Sequence, residues 1–328
     1  MRSLTAFLLA IHCMTATAKQ FYLQKTYDAN NFFDSFDFRT SGSNTSQYDD
    51  NNSWVRYQNL TKARSKGLAQ IKDDEVYLGV DYTNVLDASP EGGRDTLRVI
   101  SKDTFKYRLI ITRFTYMPKR ICGAWPAYWT LSVGKWPNTS EIDIYEGWNL
   151  NVFNKPGIHV GPKAEFGVCK IRQHNQSAII VSKDCDNEFE NGINALKGQG
   201  CQSEEKENSI YSSAEGGIQA LEWTQDSINL FTWPYSKEPN NLDQEDLNTS
   251  LWGKPSVQIH GSQCDINGIF QDQQLLFTLP FCGIPPGHKY FWTKLDGRSG
   301  QTCDKATNYL TCIDFVAKNP EAFKDFYF

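Results

Sequence analysis

Short runs of hydrophobic residues alternate along most of the chain with turns rich in Gly, Pro, Asn and Asp. This pattern is typical of β-strands joined by tight turns. Helical spacing of apolar residues is clear only over 313–323, where Pro320 interrupts it. Many short strands and few helices predict an all-β protein, either a sandwich or a barrel. The runs that fit a strand best are 75–80, 107–115, 127–133, 142–145, 227–233 and 274–279.

One of these runs carries three acidic residues, in the sequence EIDIYE at 141–146. Side chains alternate between the two faces of a strand, so Glu141 and Asp143 lie on one face. In a regular strand Glu146 would lie on the opposite face. A β-bulge near 144–145 would add one residue and bring all three acids to the same face. Because like charges on one face repel one another, this alignment indicates a chemical role.

Glycoside hydrolysis requires two carboxyl groups with different pKa values, ~5–5.5 Å apart in a retaining enzyme and further apart in an inverting one. The Cα atoms of Glu141 and Glu146 would be ~13 Å apart on a bulged strand. A curved sheet and two long side chains would close that gap, which favours the retaining arrangement. Asp143, between them, would hydrogen-bond the nucleophile and keep the two glutamates in different protonation states. The alternative is an exposed edge strand whose acids point to solvent.

Three tryptophans, Trp125, Trp129 and Trp136, precede Glu141 in the segment CGAWPAYWTLSVGKWPNTSE. Trp125 and Trp129 have the same parity and would face the same way within one strand. An indole face stacks on the apolar face of a sugar ring while its N–H remains free to bind. Clustered tryptophans beside paired carboxyl groups therefore predict a polysaccharide-binding groove. Any single tryptophan fits a protein core equally well, and this is the expectation for two others, Trp223 and Trp233.

The first residues have the form of a secretory signal peptide. Arg2 precedes an apolar run at 4–14, and the small residues ATA at 16–18 form a cleavage motif. We expect a signal peptide at 1–18 and one domain at 19–328, because no linker or repeat divides the remaining chain. No later apolar stretch approaches the ~18 residues of a membrane span. The protein is expected to be secreted and extracellular.

Nine cysteines fit this expectation, because removal of Cys13 with the signal peptide leaves eight. An even number in an oxidising compartment predicts four disulfides, whose pairing stays open. A metal site is disfavoured, since no CxxC motif occurs and the five histidines are scattered. The polar stretch 183–208, which contains Cys185 and Cys201, is expected to be a cross-linked surface loop. N-glycosylation sequons begin at Asn44, Asn51, Asn59, Asn138, Asn175 and Asn248.

The chain has 328 residues and a formal charge of −5. This charge argues against a nucleic-acid partner. We expect a monomer whose partner is a neutral polysaccharide and which has no membrane partner.

The acidic segment resembles glycoside hydrolase family 16, in particular the fungal-type laminarinases, or endo-1,3(4)-β-glucanases. The bulged signature of that family is E-[ILV]-D-x-x-E, and EIDIYE at 141–146 fits it fully. Further similar blocks follow in order along most of the chain. They are NFFDSFDF at 31–38, VYLGVD at 76–81, CGAWPAYW at 122–129, ALEWTQDSINLFTWP at 220–234, LLFTLPFCG at 275–283 and TCIDFVAKNPEAFKDFYF at 311–328.

The resemblance implies a concanavalin-like β-sandwich jelly roll, with two stacked antiparallel sheets and a substrate cleft on the concave one. It implies retaining hydrolysis of β-1,3-glucan or mixed β-1,3/1,4-glucan. Glu141 matches the nucleophile, Glu146 the acid/base and Asp143 the assisting acid. No cofactor is required. Some family members carry a structural calcium, but nothing in this sequence specifies one.

The resemblance also assigns substrate contacts. Trp129 and Trp136 match subsite aromatics, and Trp125 is expected in the same groove. His159 matches a cleft histidine, although from the residues alone it fits a core position equally well. Arg98 matches a substrate-contacting arginine less closely.

Some positions depart from the family pattern and leave the subsite preference open. The residues before the nucleophile are Asn138-Thr139-Ser140 where the family has Asn-Gly-Gly. Trp148 stands where a small or aliphatic residue is usual, Tyr235 where a basic residue is frequent, and Ile284 where an acid is common.

A secreted endo-β-glucanase is the leading hypothesis, and three alternatives remain. A glucan transglycosylase would use the same fold, but the fungal cross-linking relatives commonly have the unbulged E-x-D-x-E spacing. A non-catalytic glucan-binding protein would typically lack the glutamates. A plain extracellular structural protein explains neither the aligned acids nor the tryptophans. Linkage preference, biological role and the use of individual sequons stay open.

Overall fold

The computed structural model of the protein describes residues 20–41, 52–190, 197–295 and 297–328. The expected signal peptide at 1–18 and the sequons at Asn44 and Asn51 lie outside the described residues. Within the described residues, no helix is both long enough and apolar enough to cross a membrane.

Strands dominate the secondary structure, and the helices are short. The strands are β1 Gln20–Phe21, β2 Phe36–Phe38, β3 Val55–Tyr57, β4 Ala69–Lys72, β5 Glu75–Leu78, β6 Arg94–Thr96, β7 Arg98–Ser101, β8 Leu109–Phe114, β9 Ala127–Ser132, β10 Glu141–Glu146, β11 Gly157–His159, β12 Ile179–Ser182, β13 Cys201–Glu204, β14 Gly217–Trp223, β15 Ser227–Trp233, β16 Leu247–Asn248, β17 Val257–His260 and β18 Gln273–Thr278. The α-helices are α1 Phe32–Ser35, α2 Leu60–Ser65, α3 Lys163–Phe166, α4 Ile266–Ile269, α5 Lys289–Thr293, α6 Cys303–Thr307 and α7 Cys312–Lys318.

Two antiparallel sheets form the body of the fold. The larger has eight strands in the order β12-β13-β11-β10-β9-β18-β7-β2, and the smaller has four in the order β17-β15-β14-β8. The all-β prediction is therefore confirmed. The strand runs predicted from alternation are confirmed as β5, β8, β9, β10, β15 and β18.

Aromatic side chains join the two sheets. Phe114 of the smaller sheet makes edge contacts with Tyr128 and Phe277 of the larger one, at centroid distances of 5.4 and 6.4 Å. Such pairs contribute ~0.5–1.5 kcal/mol each beyond the apolar area that they bury. Trp223 and Trp233 are also buried, as predicted. The Phe114 contacts hold one face of the larger sheet against the smaller sheet, whereas Trp233 packs in a separate cluster with Phe231 and Trp252.

The C-terminal helical prediction is confirmed as well. Helix α7 ends at Lys318, and a 3₁₀ turn over Pro320–Phe323 follows it. Pro320 cannot donate a backbone hydrogen bond and therefore interrupts the helix.

All eight cysteines of the described residues form disulfides, as predicted. The pairs are Cys122–Cys303, Cys169–Cys264, Cys185–Cys201 and Cys282–Cys312.

The expectation of a surface loop over 183–208 is wrong in part. The cross-link between Cys185 and Cys201 is present, but the stretch also supplies β13, all four residues of which are buried. This strand lies between β12 and β11, so both of its edges are paired. Its polar side chains find partners there; Ser203, for example, accepts a hydrogen bond from Gln176.

Candidate active site

The acidic run forms strand β10 and contains the predicted bulge. Asp143 pairs with Trp129 of β9, whereas Tyr145 pairs with Tyr128, so the register shifts by one residue between Asp143 and Tyr145. Glu146 then pairs with Ala127. Since Ala127 and Trp129 are two residues apart on a regular strand, Asp143 and Glu146 lie on the same face. The predicted alignment of the acids is thus confirmed.

A buried asparagine holds the bulge in place. The Asn154 side-chain oxygen accepts a hydrogen bond from the Glu146 backbone N–H at 2.8 Å. Its amide nitrogen donates to the Ile144 carbonyl at 2.9 Å and to the Glu205 carboxylate at 3.0 Å. Gln219 of the smaller sheet donates to the same Ile144 carbonyl at 3.3 Å. The bulge is therefore anchored through its backbone groups, between the two sheets.

Each glutamate accepts a hydrogen bond from an indole. Trp136 Nε1 donates to Glu141 Oε2 at 2.8 Å, and Trp125 Nε1 donates to Glu146 Oε1 at 2.9 Å. Trp136 is 37% exposed, whereas Trp125 is 9% exposed. Trp125 and Trp129 do not share one strand as predicted, because β9 begins only at Ala127. Trp125 reaches the acids from the segment before the strand.

Trp129 and Arg98 lie on the same face as the acids. Trp129 pairs with Asp143, and its indole donates to Thr278 at 3.1 Å. Arg98 pairs with Thr278, which in turn pairs with Ala127 opposite Glu146. The Arg98 guanidinium lies 5.1 Å from the centre of the Trp129 ring. The structure thus places Arg98 three strands from Glu146, in the same row across the sheet.

His159 lies beside two of the acids. It pairs with Glu141 from β11. Its Nε2 is 3.3 Å from Asp143 Oδ2 and 3.9 Å from Glu141 Oε1. Its Nδ1 is 2.8 Å from Asn187 Oδ1, so an amide oxygen orients the ring. The histidine therefore belongs to the acidic cluster and not to the core between the sheets.

Burial shifts the pKa values of the whole cluster. Loss of solvent raises the pKa of Glu146 to about 8, and the Asp143 charge adds to the effect. Loss of solvent and the Glu141 charge raise the pKa of Asp143 to about 7. The pKa of Glu141 is also raised by burial, but His159 and the Trp136 hydrogen bond oppose the shift. Burial alone would lower the pKa of His159; the Asp143 and Glu141 carboxylates outweigh it and raise the value to about 10.

These environments divide the acids into two roles. Glu146 is favoured as a neutral acid that can donate a proton at neutral pH. Glu141 faces an imidazolium and an indole N–H, both of which favour its carboxylate. Two carboxyl groups in different protonation states are what glycosidic bond cleavage requires.

Residues 43–328 match the family model described as "XgeA-like, catalytic GH16 domain". The chain belongs to glycoside hydrolase family 16. The resemblance seen in the sequence is thereby confirmed.

The curated relatives of this family 16 chain include fungal enzymes. An endo-1,3(4)-beta-glucanase of Arthroderma benhamiae is 31% identical over 94% of this chain and 63% of its own length. A probable endo-1,3(4)-beta-glucanase of Aspergillus niger is 30% identical over 99% of this chain and 41% of its own length. The chain thus spans about half the length of the curated relatives it matches.

Two solved family 16 structures are similar over nearly the whole of both chains. One is an elongating β-1,3-glucosyltransferase, with 31% identity and a TM-score of 0.78, which covers 93% of this chain and 96% of that chain. The other is Laminarinase 16A from Phanerochaete chrysosporium with β-glucans in its donor and acceptor sites. It has 25% identity and a TM-score of 0.79, and the match covers 94% and 97% of the two chains.

One departure from the family 16 pattern has a visible local solution. Ser140 occupies a position where the family has glycine, and its φ is +69°. This left-handed conformation favours glycine, so a serine there is strained. Its backbone N–H donates to the Pro137 carbonyl, and its hydroxyl accepts from Gln273 at 2.9 Å. These bonds hold the turn that leads into Glu141.

A metal ion would have to compete with the proton on His159. Ligand atoms of Glu141, Asp143 and His159 lie within 4.8 Å of one another. A ligating histidine must be neutral, whereas the two carboxylates favour its protonated form. In this family 16 chain the three side chains therefore fit acid–base chemistry better than metal binding.

The residues that support the acids were not predictable from the sequence. Asn154, Glu205 and Asn187 carry no recognisable motif, and Asn154 and Glu205 are 51 residues apart in the chain. The pairing of β13 with β11 and a β-bridge between Asn154 and Glu205 bring these two residues together.

Proposed function

We propose that the protein is a secreted, retaining endo-β-glucanase that hydrolyses β-1,3-glucan or mixed β-1,3/1,4-glucan. The observation that carries this proposal is the bulge in β10, which aligns two glutamates and an aspartate on one face with an indole donor on each glutamate. The names of the curated relatives support the same activity. Four disulfides and the signal-like first residues support secretion.

The proposed cleft is the concave face of the larger sheet in a jelly-roll sandwich, since the opposite face contacts the smaller sheet. Ile142 and Tyr145 of β10 are buried on that opposite face, and Glu141, Asp143 and Glu146 point the other way. A glucan chain in this cleft would contact Trp129 and Arg98 on the β9 side of the acids. Trp136 would contact it near Glu141.

In the first step, the Glu141 carboxylate attacks the anomeric carbon and the Glu146 carboxyl protonates the departing glycosidic oxygen. The C–O bond to the leaving glucan breaks, and a glycosyl ester forms on Glu141. In the second step, the Glu146 carboxylate removes a proton from water, which attacks the same carbon and releases Glu141. Two inversions give net retention.

The electrostatics fit this exchange of roles. In the free protein the Glu141 and Glu146 charges oppose each other, so one of the pair stays protonated. Formation of the ester removes the Glu141 charge, which lowers the pKa of Glu146 and lets it act as a base in the second step. His159 lowers the pKa of Glu141 and so favours its carboxylate, and Asp143 lies 3.3 Å from the imidazole Nε2 and helps to position the ring.

Transfer to a sugar is a second candidate function. The similar solved structure of an elongating β-1,3-glucosyltransferase favours it. Hydrolysis and transfer share the glycosyl ester and differ only in the acceptor, which is water or a sugar hydroxyl.

The decisive experiment is digestion of linear β-1,3-glucan, mixed-linkage glucan and cellulose in parallel, with oligosaccharide products resolved by chromatography. We expect Glu141→Gln to lose at least about 1,000-fold of the cleavage rate, because the nucleophile is absent. Glu165→Gln is the matched control, since Glu165 is an exposed glutamate of α3. A normal rate in Glu141→Gln would exclude the proposed mechanism. Binding of glucan without sugar release at any pH would indicate a non-catalytic binding protein.

A further inference from the structure

A second group of side chains shares the face of the acids, on the side away from Arg98. Gln202 of β13 pairs with Gly157, which pairs with Asp143. Glu204 lies two residues beyond Gln202 and therefore faces the same way as Asp143. Its carboxylate lies 3.1 Å from Lys155 Nζ and 3.0 Å from the Arg298 guanidinium.

This group adjoins Glu146 directly. The Lys155 backbone N–H donates to the Glu146 carbonyl at 2.9 Å, and the neighbouring residues Asn154 and Glu205 form a β-bridge. Lys155 and Glu204 therefore continue the row across the sheet in which Glu146 lies. Arg98 is at one end of that row and Glu204 is near the other, with the acid between them.

An aromatic ring completes the group. Trp148 follows Glu146 by two residues, and the Lys155 ammonium lies 5.2 Å from its ring centre. Phe291 packs edge-on against the indole, with a centroid distance of 6.2 Å and an interplanar angle of 88°. The indole is only partly buried, so part of its surface remains open to a ligand.

We propose that Trp148, Lys155 and Arg298, held together by Glu204, form the binding site for the glucan segment on the leaving-group side. This assignment rests on the proposed glucanase activity, because a general acid faces the sugar whose oxygen it protonates, and Glu146 adjoins this group. In transfer the same site holds the acceptor.

The chemistry of the group fits a neutral β-glucan. An indole offers an apolar surface to the face of a glucosyl ring, and the ammonium and guanidinium donate to its hydroxyl groups. The Glu204 carboxylate offsets one of the two positive charges and fixes both cations in place. Arg298 is 59% exposed at its side chain and can reach a ligand from the rim.

The test uses an aryl β-laminaribioside as donor and laminaribiose as acceptor. The aryl group is a good leaving group, so formation of the glycosyl ester does not require a sugar in the proposed site. We expect Trp148→Ala to raise the acceptor concentration for half-maximal transfer about tenfold. Aryl release without acceptor is measured for each variant, and the loss of acceptor binding should exceed any loss of aryl release. Trp148→Tyr should recover most of the acceptor binding, which a purely structural role would not predict.

Tyr22→Ala is the control, because Tyr22 is 60% exposed and follows Phe21 of β1, which pairs with β16 and not with the larger sheet. The proposal is wrong if both Trp148→Ala and Arg298→Ala keep the native acceptor dependence. If the native protein releases no aryl group, the proposed activity fails, and calorimetry then tests the site by itself. Glu141→Gln and Glu141→Gln/Trp148→Ala would be titrated with laminari-oligosaccharides. Equal affinities would overturn the site, and a loss of about tenfold in the double variant would support it.

Discussion

Replacement of Asn154 tests whether the bulge is held by this side chain. Asn154 is 0% exposed, and its amide makes hydrogen bonds of 2.8, 2.9 and 3.0 Å to Glu146, Ile144 and Glu205. In Asn154→Ala, Gln219 still donates to the Ile144 carbonyl. The Glu146 N–H and one Glu205 oxygen lose these partners. Each buried unsatisfied group costs ~1–3 kcal/mol, so the free energy of unfolding should fall by ~2–6 kcal/mol.

That loss approaches the whole stability of a domain, which is ~5–15 kcal/mol, so a milder pair of variants is needed. Asn154→Asp keeps an oxygen for the Glu146 N–H but sets a carboxylate against Glu205, whose pKa is already raised by burial. Adding Glu205→Gln supplies an amide donor at position 205 for the new carboxylate at position 154, so the hydrogen bond returns with its direction reversed. We therefore expect Asn154→Asp to be destabilised and Asn154→Asp/Glu205→Gln to recover most of the loss.

Two assays check this prediction. Urea unfolding gives the free energies, and rates on β-1,3-glucan and on a dinitrophenyl β-laminaribioside separate acid catalysis from the rest. A misplaced Glu146 should lower kcat/KM on glucan by about 100-fold but on the dinitrophenyl substrate by less than about tenfold, because that leaving group needs no proton. An Asn154→Ala protein with native stability and native rates on both substrates would refute the role of Asn154 in holding the bulge.

Two further predictions concern pH. The Glu146 carboxyl binds its proton up to about pH 8 when folded and only to about pH 4.3 when unfolded, so the native state loses stability as pH rises through this window. Glu146→Gln should therefore raise Tm most at pH 7–8 and least near pH 4; thermal melts with the same gain at both pH values would contradict this. In His159→Asn the imidazolium that lowers the pKa of Glu141 is absent, so the acidic limb of the kcat/KM profile should move to higher pH. If the acidic limb of the kcat/KM profile stays at the same pH in this variant, His159 is neutral in the active protein.

Local features of the site were predictable from sequence, and features built from distant segments were not. The bulge follows from strand alternation within 141–146, and Trp129 follows from the neighbouring run. The Asn154–Glu205 contact and the disulfide partners depend on which strands become neighbours in the sheet, which no local pattern specifies. For the same reason 183–208 was expected to be a loop, since its polar composition does not reveal that β13 is paired on both edges.

The disulfide connectivity has a consequence for how cells make this protein. Among the described residues, Cys185–Cys201 is the only bridge that joins two successive cysteines; the Cys169–Cys264 bridge encloses that pair, and Cys122–Cys303 encloses both. If the protein is secreted as proposed, a chain that enters the secretory pathway from its N-terminus exposes Cys122 and Cys169 before the other cysteines of the described residues, and oxidation in order of emergence would join them wrongly. Correct bridging of Cys122 must wait until residue 303 has been translocated. Efficient production therefore depends on a compartment that reshuffles disulfides as well as forming them.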